Sequence, residues 1–127
     1  MKLQPGLEAE FGIEVTAADT ASVLGSGDVD VLATPRIVAL AEEATMRAIG
    51  DALPSGRTSV GTEVSVRHRR PSVPGTILTV CARLVEVDGA RLTFRVVVRV
   101  GEVLVADGTV RRTVVDRRDF LARAHDN

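Results

Sequence analysis

Apolar and polar residues alternate over positions 7–15 of the chain. Apolar side chains occupy every second position, and glutamate or glycine fills the positions between them. A period of two residues is typical of a strand that buries one face and exposes the other. The apolar positions are Leu7, Ala9, Phe11, Ile13 and Val15. The pattern predicts a first strand here, followed by a short helical turn between Ala17 and Leu24.

The apolar pattern takes on the period of a helix after residue 33. When these residues are placed on a helical wheel at about 100° per residue, the apolar ones form one sector. It contains Ile37, Val38, Ala41, Ala44, Thr45, Ala48 and Ile49. Thr34 is a favourable N-cap, and Pro35 suits the first helical position because its missing N–H is not needed there. Gly50 and Pro54 then end the pattern, so the sequence predicts one long helix beginning at Thr34.

Four more segments of strand character follow the helix. They are predicted at Thr58–Arg69, Thr76–Val87, Arg91–Val100 and Val103–Val115. Asp88-Gly89 and Gly101-Glu102 predict tight hairpins between the last three. This order of elements predicts an α+β fold, with one long helix wrapped by a curved antiparallel sheet of about five strands. The 127 residues fit a single domain, with 116–127 as a polar, frayed tail.

Composition narrows the class of protein. Apolar residues make up 45% of the chain, yet it has three Phe and no Tyr or Trp, so the core must be aliphatic. A net charge of −1 and the lack of stacking aromatic residues argue against nucleic-acid binding. The single cysteine excludes an internal disulfide and a cysteine-based zinc site. No apolar run approaches the roughly 20 residues that span a bilayer, and the N-terminus has no signal-peptide pattern. We therefore expect a cytoplasmic protein without a metal or a cofactor.

Two adjacent glutamates in the predicted helix differ in position. Glu43 falls on the polar side, four residues before Arg47, and is expected to pair with it in solvent. Glu42 lies at the edge of the apolar sector. A carboxylate at such a boundary either extends to water or faces a cleft. Glu42 is therefore the carboxylate with a possible chemical role.

One strand histidine is predicted to point inward. His68 shares the phase of Val60, Val64 and Val66, while Arg67 and Arg69 take the opposite face. A lone strand histidine is more often a satisfied core residue than a catalyst. His68, however, ends its strand, and sites usually open where strands give way to loops.

The remaining polar candidates each have two interpretations. Thr34 is either an ordinary helix cap or, with the positive end of the helix, a group that holds a carboxylate or an acyl oxygen. Arg67, Arg69 and Arg70 form the densest basic cluster, which is either a charged strand face or a binding site for the phosphates of an acyl carrier. Cys81 is predicted to be a small core residue.

Together these residues resemble a known family. The spacing Thr34–Glu42–His68 and the strand 59–68, in which Gly61 precedes the histidine, resemble the hot-dog-fold thioesterases of the fluoroacetyl-CoA thioesterase type. The likeness extends from about Phe11 to Val115. In that family a Thr, a Glu and a His form the catalytic set, which carries over by position to Thr34, Glu42 and His68, with Gly61 close to the thioester. The resemblance also implies an acyl-CoA substrate and a homodimer, or a pair of dimers, with active sites at the subunit interface.

One segment departs from the fluoroacetyl-selective type, which has an aromatic lid before its catalytic threonine. Residues 24–30 contain no aromatic side chain, so we expect an acyl-CoA thioesterase for some other short or medium acyl group. Glu42 would act as nucleophile or general base, with His68 and Thr34 assisting. Two alternatives remain open. One is a non-catalytic acyl-CoA-binding module, and the other is an enoyl-CoA hydratase or dehydratase, although the sequence lacks the D-x-x-x-x-H pair of such enzymes.

Overall fold

A computed structural model describes residues 2–127 and contains every element that the sequence predicts. The strands are β1 (Glu8–Glu14), β2 (Arg57–His68), β3 (Ile77–Asp88), β4 (Arg91–Val100) and β5 (Val103–Asp116). The helices are α1 (Ala21–Leu24), α2 (Thr34–Ile49) and α3 (Arg117–His125), with 3-10 turns at Ala17–Asp19 and Gly50–Ala52. The predicted strand bounds are confirmed to within one or two residues. No helix of residues 2–127 is long and apolar enough to cross a membrane.

The five strands form one antiparallel sheet in the order β1-β3-β4-β5-β2, and α2 packs against one of its faces. Aliphatic side chains of α2 meet the inward positions of β3, β4 and β5, with Phe94 buried among them. Most of the predicted helical sector is fully buried, but Leu40 joins it, and Val38 and Ala48 lie only at its edge. The predicted α+β fold of one long helix on a five-stranded sheet is confirmed.

A β-bulge in β2 changes which side chains face the helix. The register between β2 and β5 shifts between Gly61 and Glu63. Before the bulge Gly61 pairs with the buried Arg112, whereas Val60 pairs with Thr113 on the opposite face. After it, Val64, Val66 and His68 face inward. The prediction that Val60 shares the phase of His68 is therefore wrong, because an extra residue in one strand reverses its alternation.

Three other local predictions also need correction. Residues 117–125 form α3 rather than a frayed tail, because the Asp116 side chain accepts a hydrogen bond from the Asp119 backbone N–H at 3.0 Å and caps the helix. Ala33, not Thr34, occupies the N-cap of α2, and Thr34 is its first residue. Cys81 is half-buried on the outer face of the sheet, where it contacts Glu10 and Arg99. Both partners are charged, so Cys81 is not a core residue.

Candidate active site

The Thr34 hydroxyl meets the imidazole of His68. Thr34 Oγ1 lies 2.9 Å from His68 Nδ1, and this contact joins the first residue of α2 to the last residue of β2. The other ring nitrogen, Nε2, is buried and has no partner within residues 2–127. A buried polar atom without a partner is rare in folded proteins and is often functional. The threonine thus binds one side of the ring, and the second nitrogen remains available for another group.

The start of α2 is fixed by contacts from two other segments, one before the helix and one after β2. The Ala33 N–H donates to the Asp19 carbonyl at 2.9 Å, and the Leu32 N–H donates to the Ser72 carbonyl at 2.8 Å. Arg36 Nε donates to the Asp19 carboxylate at 2.8 Å. Burial alone would raise the pKa of Asp19, but hydrogen bonds from the Thr16 backbone and from Arg36 outweigh it and lower the pKa. These contacts hold Thr34 in place beside His68.

Glu42 lies over Gly61, about half-way along α2. A Cβ atom added to Gly61 would overlap Glu42 Oε2, so the carboxylate occupies the space that any other side chain would fill. The Glu42 side chain keeps 37% of its exposure. Glu43, in contrast, forms an ion pair with Arg47 at 2.6 Å. The predicted difference between the two glutamates is therefore confirmed.

Arg112 is a member of this site that the sequence analysis missed. Only 4% of the residue is exposed, and its Nη1 lies 3.5 Å from Glu42 Oε2. Burial lowers the pKa of Arg112, and the nearby charge of Glu42 opposes that shift. A signal was present in the sequence, because Arg112 alternates with Val110 and Val114 on the inward phase of β5. An arginine in that phase predicts a buried partner of opposite charge.

The two halves of the predicted site do not meet within one chain. Thr34 contacts His68, and Glu42 contacts Gly61 and Arg112, but Thr34 and Glu42 are eight residues apart on α2. That spacing corresponds to about 12 Å along a helix axis. One chain therefore presents a hydroxyl–imidazole pair and, at a distance, a carboxylate beside a glycine.

The predicted basic cluster lies at the end of β2. Arg67 and Arg69 point away from the helix, as expected, and Arg69 Nε donates to Asp107 at 2.7 Å. This hydrogen bond raises the pKa of Arg69 and lowers that of Asp107. Arg67 and Arg70 are exposed and form no ion pair within residues 2–127. Asp107 therefore already neutralises one of the three arginines.

Comparisons with known proteins point to one family. Residues 15–118 match the family model described as fluoroacetyl-CoA-specific thioesterase. The chain is 37% identical over 94 residues to the fluoroacetyl-CoA thioesterase of Streptantibioticus cattleyicolor, and the match covers 74% of this chain and 68% of that protein.

Solved structures agree with the sequence comparisons. A solved structure of the fluoroacetyl-CoA thioesterase matches with a TM-score of 0.92 at 29% identity, over 100% of this chain and 98% of that one. A point mutant of that enzyme in complex with fluoroacetate and CoA matches with a TM-score of 0.86 at 31% identity, over 93% and 99%. A thioesterase superfamily member from Thermus thermophilus matches with a TM-score of 0.90 at 27% identity, over 97% and 91%.

Proposed function

Because the chain belongs to the family of fluoroacetyl-CoA-specific thioesterases, and is thus a thioester hydrolase, we propose that it cleaves short or medium acyl-CoA esters with Glu42, His68 and Thr34 as its catalytic set. The observation that carries this proposal is the pair of partly open polar groups, Glu42 over Gly61 and His68 on Thr34. No separate cofactor is needed, because CoA is part of the substrate.

Hydrolysis of a thioester needs an oxygen nucleophile, a site for the developing oxyanion and a proton for the leaving thiolate. Glu42 either attacks the thioester carbon to give an acyl-enzyme, which water then hydrolyses to the free acid, or removes a proton from the water that attacks the carbon. When the Thr34 hydroxyl donates to His68 Nδ1, the neutral ring carries its proton on Nε2. This N–H is suited to donate a hydrogen bond to the departing sulfur, and the thiolate takes its proton from water, either directly or by way of Glu42. The Gly61 N–H is proposed to bind the oxyanion, since the absence of a side chain lets the substrate approach the backbone.

A homodimer would complete this site. Within residues 2–127, β2 is paired with β5 on one side only, and an unpaired strand edge readily pairs with a second strand. Antiparallel pairing of two copies of β2 keeps inward residues opposite inward residues when it is centred on Ser65. This register sets the bulge that follows Gly61 of one protomer opposite the partner's His68. Glu42 over Gly61 would then face an imidazole from the partner. We propose that each active site combines the two halves that a single chain holds apart, and pairing of two dimers into a tetramer remains compatible with this arrangement.

The basic residues at the end of β2 are proposed to bind the phosphates of CoA. Arg67 and Arg70 are the exposed members without an ion pair within residues 2–127, so their donors are open to a phosphate. Arg69 would contribute only if the phosphate competed with Asp107 for its guanidinium. We therefore expect replacement of Arg67 or Arg70 to raise KM more than replacement of Arg69.

The acyl group is proposed to be other than fluoroacetyl. The segment before α2 presents Leu24 and Val29 to solvent, with 48% and 55% of their surfaces exposed, and no aromatic residue. Small aliphatic side chains leave room that an aromatic lid would fill. This favours a short or medium aliphatic acyl group.

The first test is thiol release from a panel of acyl-CoA esters, from acetyl to octanoyl and including fluoroacetyl. We expect turnover on short or medium aliphatic esters without a preference for the fluorinated one. Binding of acyl-CoA without any thiol release would instead identify a non-catalytic binding module. A short enoyl-CoA is tested in parallel, and loss of its absorbance without thiol release would identify a hydratase.

Gly61→Ala is expected to lower kcat by about tenfold or more, because the new methyl group displaces the Glu42 carboxylate from its position over β2. Gly12→Ala is the matched control. A Cβ at Gly12 meets only the Leu78 carbonyl at an ordinary 3.7 Å, so wild-type kcat is expected. Equal kcat for both variants would mean that the carboxylate does not act from this position.

A further inference from the structure

Arg112 is the only charged side chain that is buried within residues 2–127. It lies on the helix-facing side of β5, opposite Gly61 in the register between β2 and β5. Taking a guanidinium out of water is costly unless hydrogen bonds and an opposite charge compensate. The contacts of Arg112 should therefore reveal why the charge is retained.

The guanidinium of Arg112 joins a fixed anchor to a more exposed carboxylate. Nε donates to Ser59 Oγ at 2.8 Å, and Nη2 donates to the Ser59 carbonyl at 3.1 Å. The third nitrogen, Nη1, points at Glu42 Oε2 from 3.5 Å. Ser59 is itself buried, so two of the three nitrogens are held by rigid strand β2. The planar group then has one orientation in which to present Nη1 to Glu42.

From this geometry we infer that Arg112, anchored on Ser59, is a positioning residue that keeps the Glu42 carboxylate aimed over Gly61. The inference rests on the proposed catalytic role of Glu42. Without the guanidinium, a carboxylate that is 37% exposed is free to turn toward solvent. With it, one carboxylate oxygen remains beside the Gly61 backbone, where the thioester is proposed to bind.

The fold alone does not explain a charge at this position. Buried ion pairs are often replaced by apolar residues of similar size without loss of stability, sometimes with a gain. The flanking inward positions of β5 are Val110 and Val114, so an apolar residue would continue the core. A purely structural role thus predicts that an isosteric apolar substitution is harmless to turnover in any variant that folds.

The test compares steady-state kinetics of Arg112→Met and Arg112→Lys with those of wild type. Arg112→Met is expected to lower kcat by about tenfold or more and to change KM by less than about threefold, because it acts on the catalytic group and not on CoA binding. Arg112→Lys keeps the positive charge but lacks the planar guanidinium that bonds Ser59 and Glu42 together, so its loss in kcat should be smaller than that of Arg112→Met. Arg111→Met is the matched control, because Arg111 is exposed on the opposite face and pairs with Glu63. Its kcat should equal that of wild type.

A double-mutant cycle separates positioning from a structural role. If Arg112 acts through Glu42, then Arg112→Met in a Glu42→Gln background adds little, less than about twofold, to the loss already present. Should Arg112→Met not fold, Ser59→Ala provides the test, since it releases the anchor and should lower kcat by about two- to fivefold with little change in KM.

Three results would overturn the inference. The first is wild-type kcat in folded Arg112→Met. The second is a double variant whose loss in kcat equals the product of the losses in Arg112→Met and Glu42→Gln. The third applies if Arg112→Met does not fold, and it is wild-type kcat in Ser59→Ala. In each of these cases the wild-type protein still releases thiol, so the proposed function stands. A wild-type protein that releases no thiol from any acyl-CoA overturns both.

Discussion

Replacing Glu42 by glutamine is expected to lower kcat for thiol release by about a hundredfold or more, the range in which positioned acid–base groups contribute. The amide has nearly the shape of the carboxylate and still fits over Gly61, but it neither attacks a thioester nor accepts a proton from water. His68→Ala should cause a loss of similar order, because it removes the imidazole that Thr34 orients. Both are measured with saturating acyl-CoA by a thiol-release assay.

Glu43→Gln is the matched control for Glu42→Gln. It makes the same chemical change one residue along the same helix, at a carboxylate paired with Arg47 in solvent. An exposed pair of this kind contributes about 0.3–0.5 kcal/mol to stability, so the control should fold normally and keep wild-type kcat. Thermal unfolding of all three variants establishes that the losses are not caused by unfolding. Wild-type turnover in folded Glu42→Gln or in folded His68→Ala would remove that residue from the catalytic set.

The elements of the fold could be predicted because their signals are local. Alternation marked each strand, and an apolar sector of helical period marked α2 between Pro35 and Gly50. The same helical wheel separated Glu42 from Glu43, since only the second has a basic residue four positions on. Such features depend on neighbours within one or two turns of the chain, and these are visible in the sequence.

The bulge at Gly61 could not be predicted in this way. An inserted residue reverses the alternation of β2, yet Val60, Val64 and Val66 still read as one apolar series. Only the register with β5 shows that Val60 lies on the other face. The consequence is functional, because the bulge lets both Gly61 and His68 face the helix.

Arg112 was missed for a related reason. Its partners Ser59 and Glu42 are 53 and 70 residues away in the chain, so its role depends on three elements meeting in the fold. Thr34 is a second residue whose partner could not be read from its neighbours in the sequence. Its hydroxyl was expected either to cap the helix or to hold a carboxylate or an acyl oxygen, but His68, 34 residues away, is the partner that the fold provides. Residue type predicted a polar role in this case, and topology determined the partner.

Mixing two inactive variants should restore activity if each site is shared between protomers. In a heterodimer of Glu42→Gln and His68→Ala chains, one site receives both substitutions, and the other receives Glu42 from one protomer and His68 from its partner, both intact. Random exchange of subunits makes half of the dimers mixed, so about a quarter of wild-type activity is expected under two-fold symmetry. Thiol release is measured after mild unfolding and joint refolding of the two variants.

The alternative arrangement gives a different result from the same mixture. If Glu42 and His68 of a single chain formed the site, every chain in the mixture would lack one of them, and refolding together would restore nothing. The distance of about 12 Å between Thr34 and Glu42 along α2 favours sharing, because His68 is bound to Thr34 at one end of that span. A control mixture of Glu42→Gln with Glu42→Gln/His68→Ala chains should remain inactive in either case, since no chain in it supplies Glu42. Recovery in the first mixture alone would therefore show that the carboxylate and the imidazole come from different protomers.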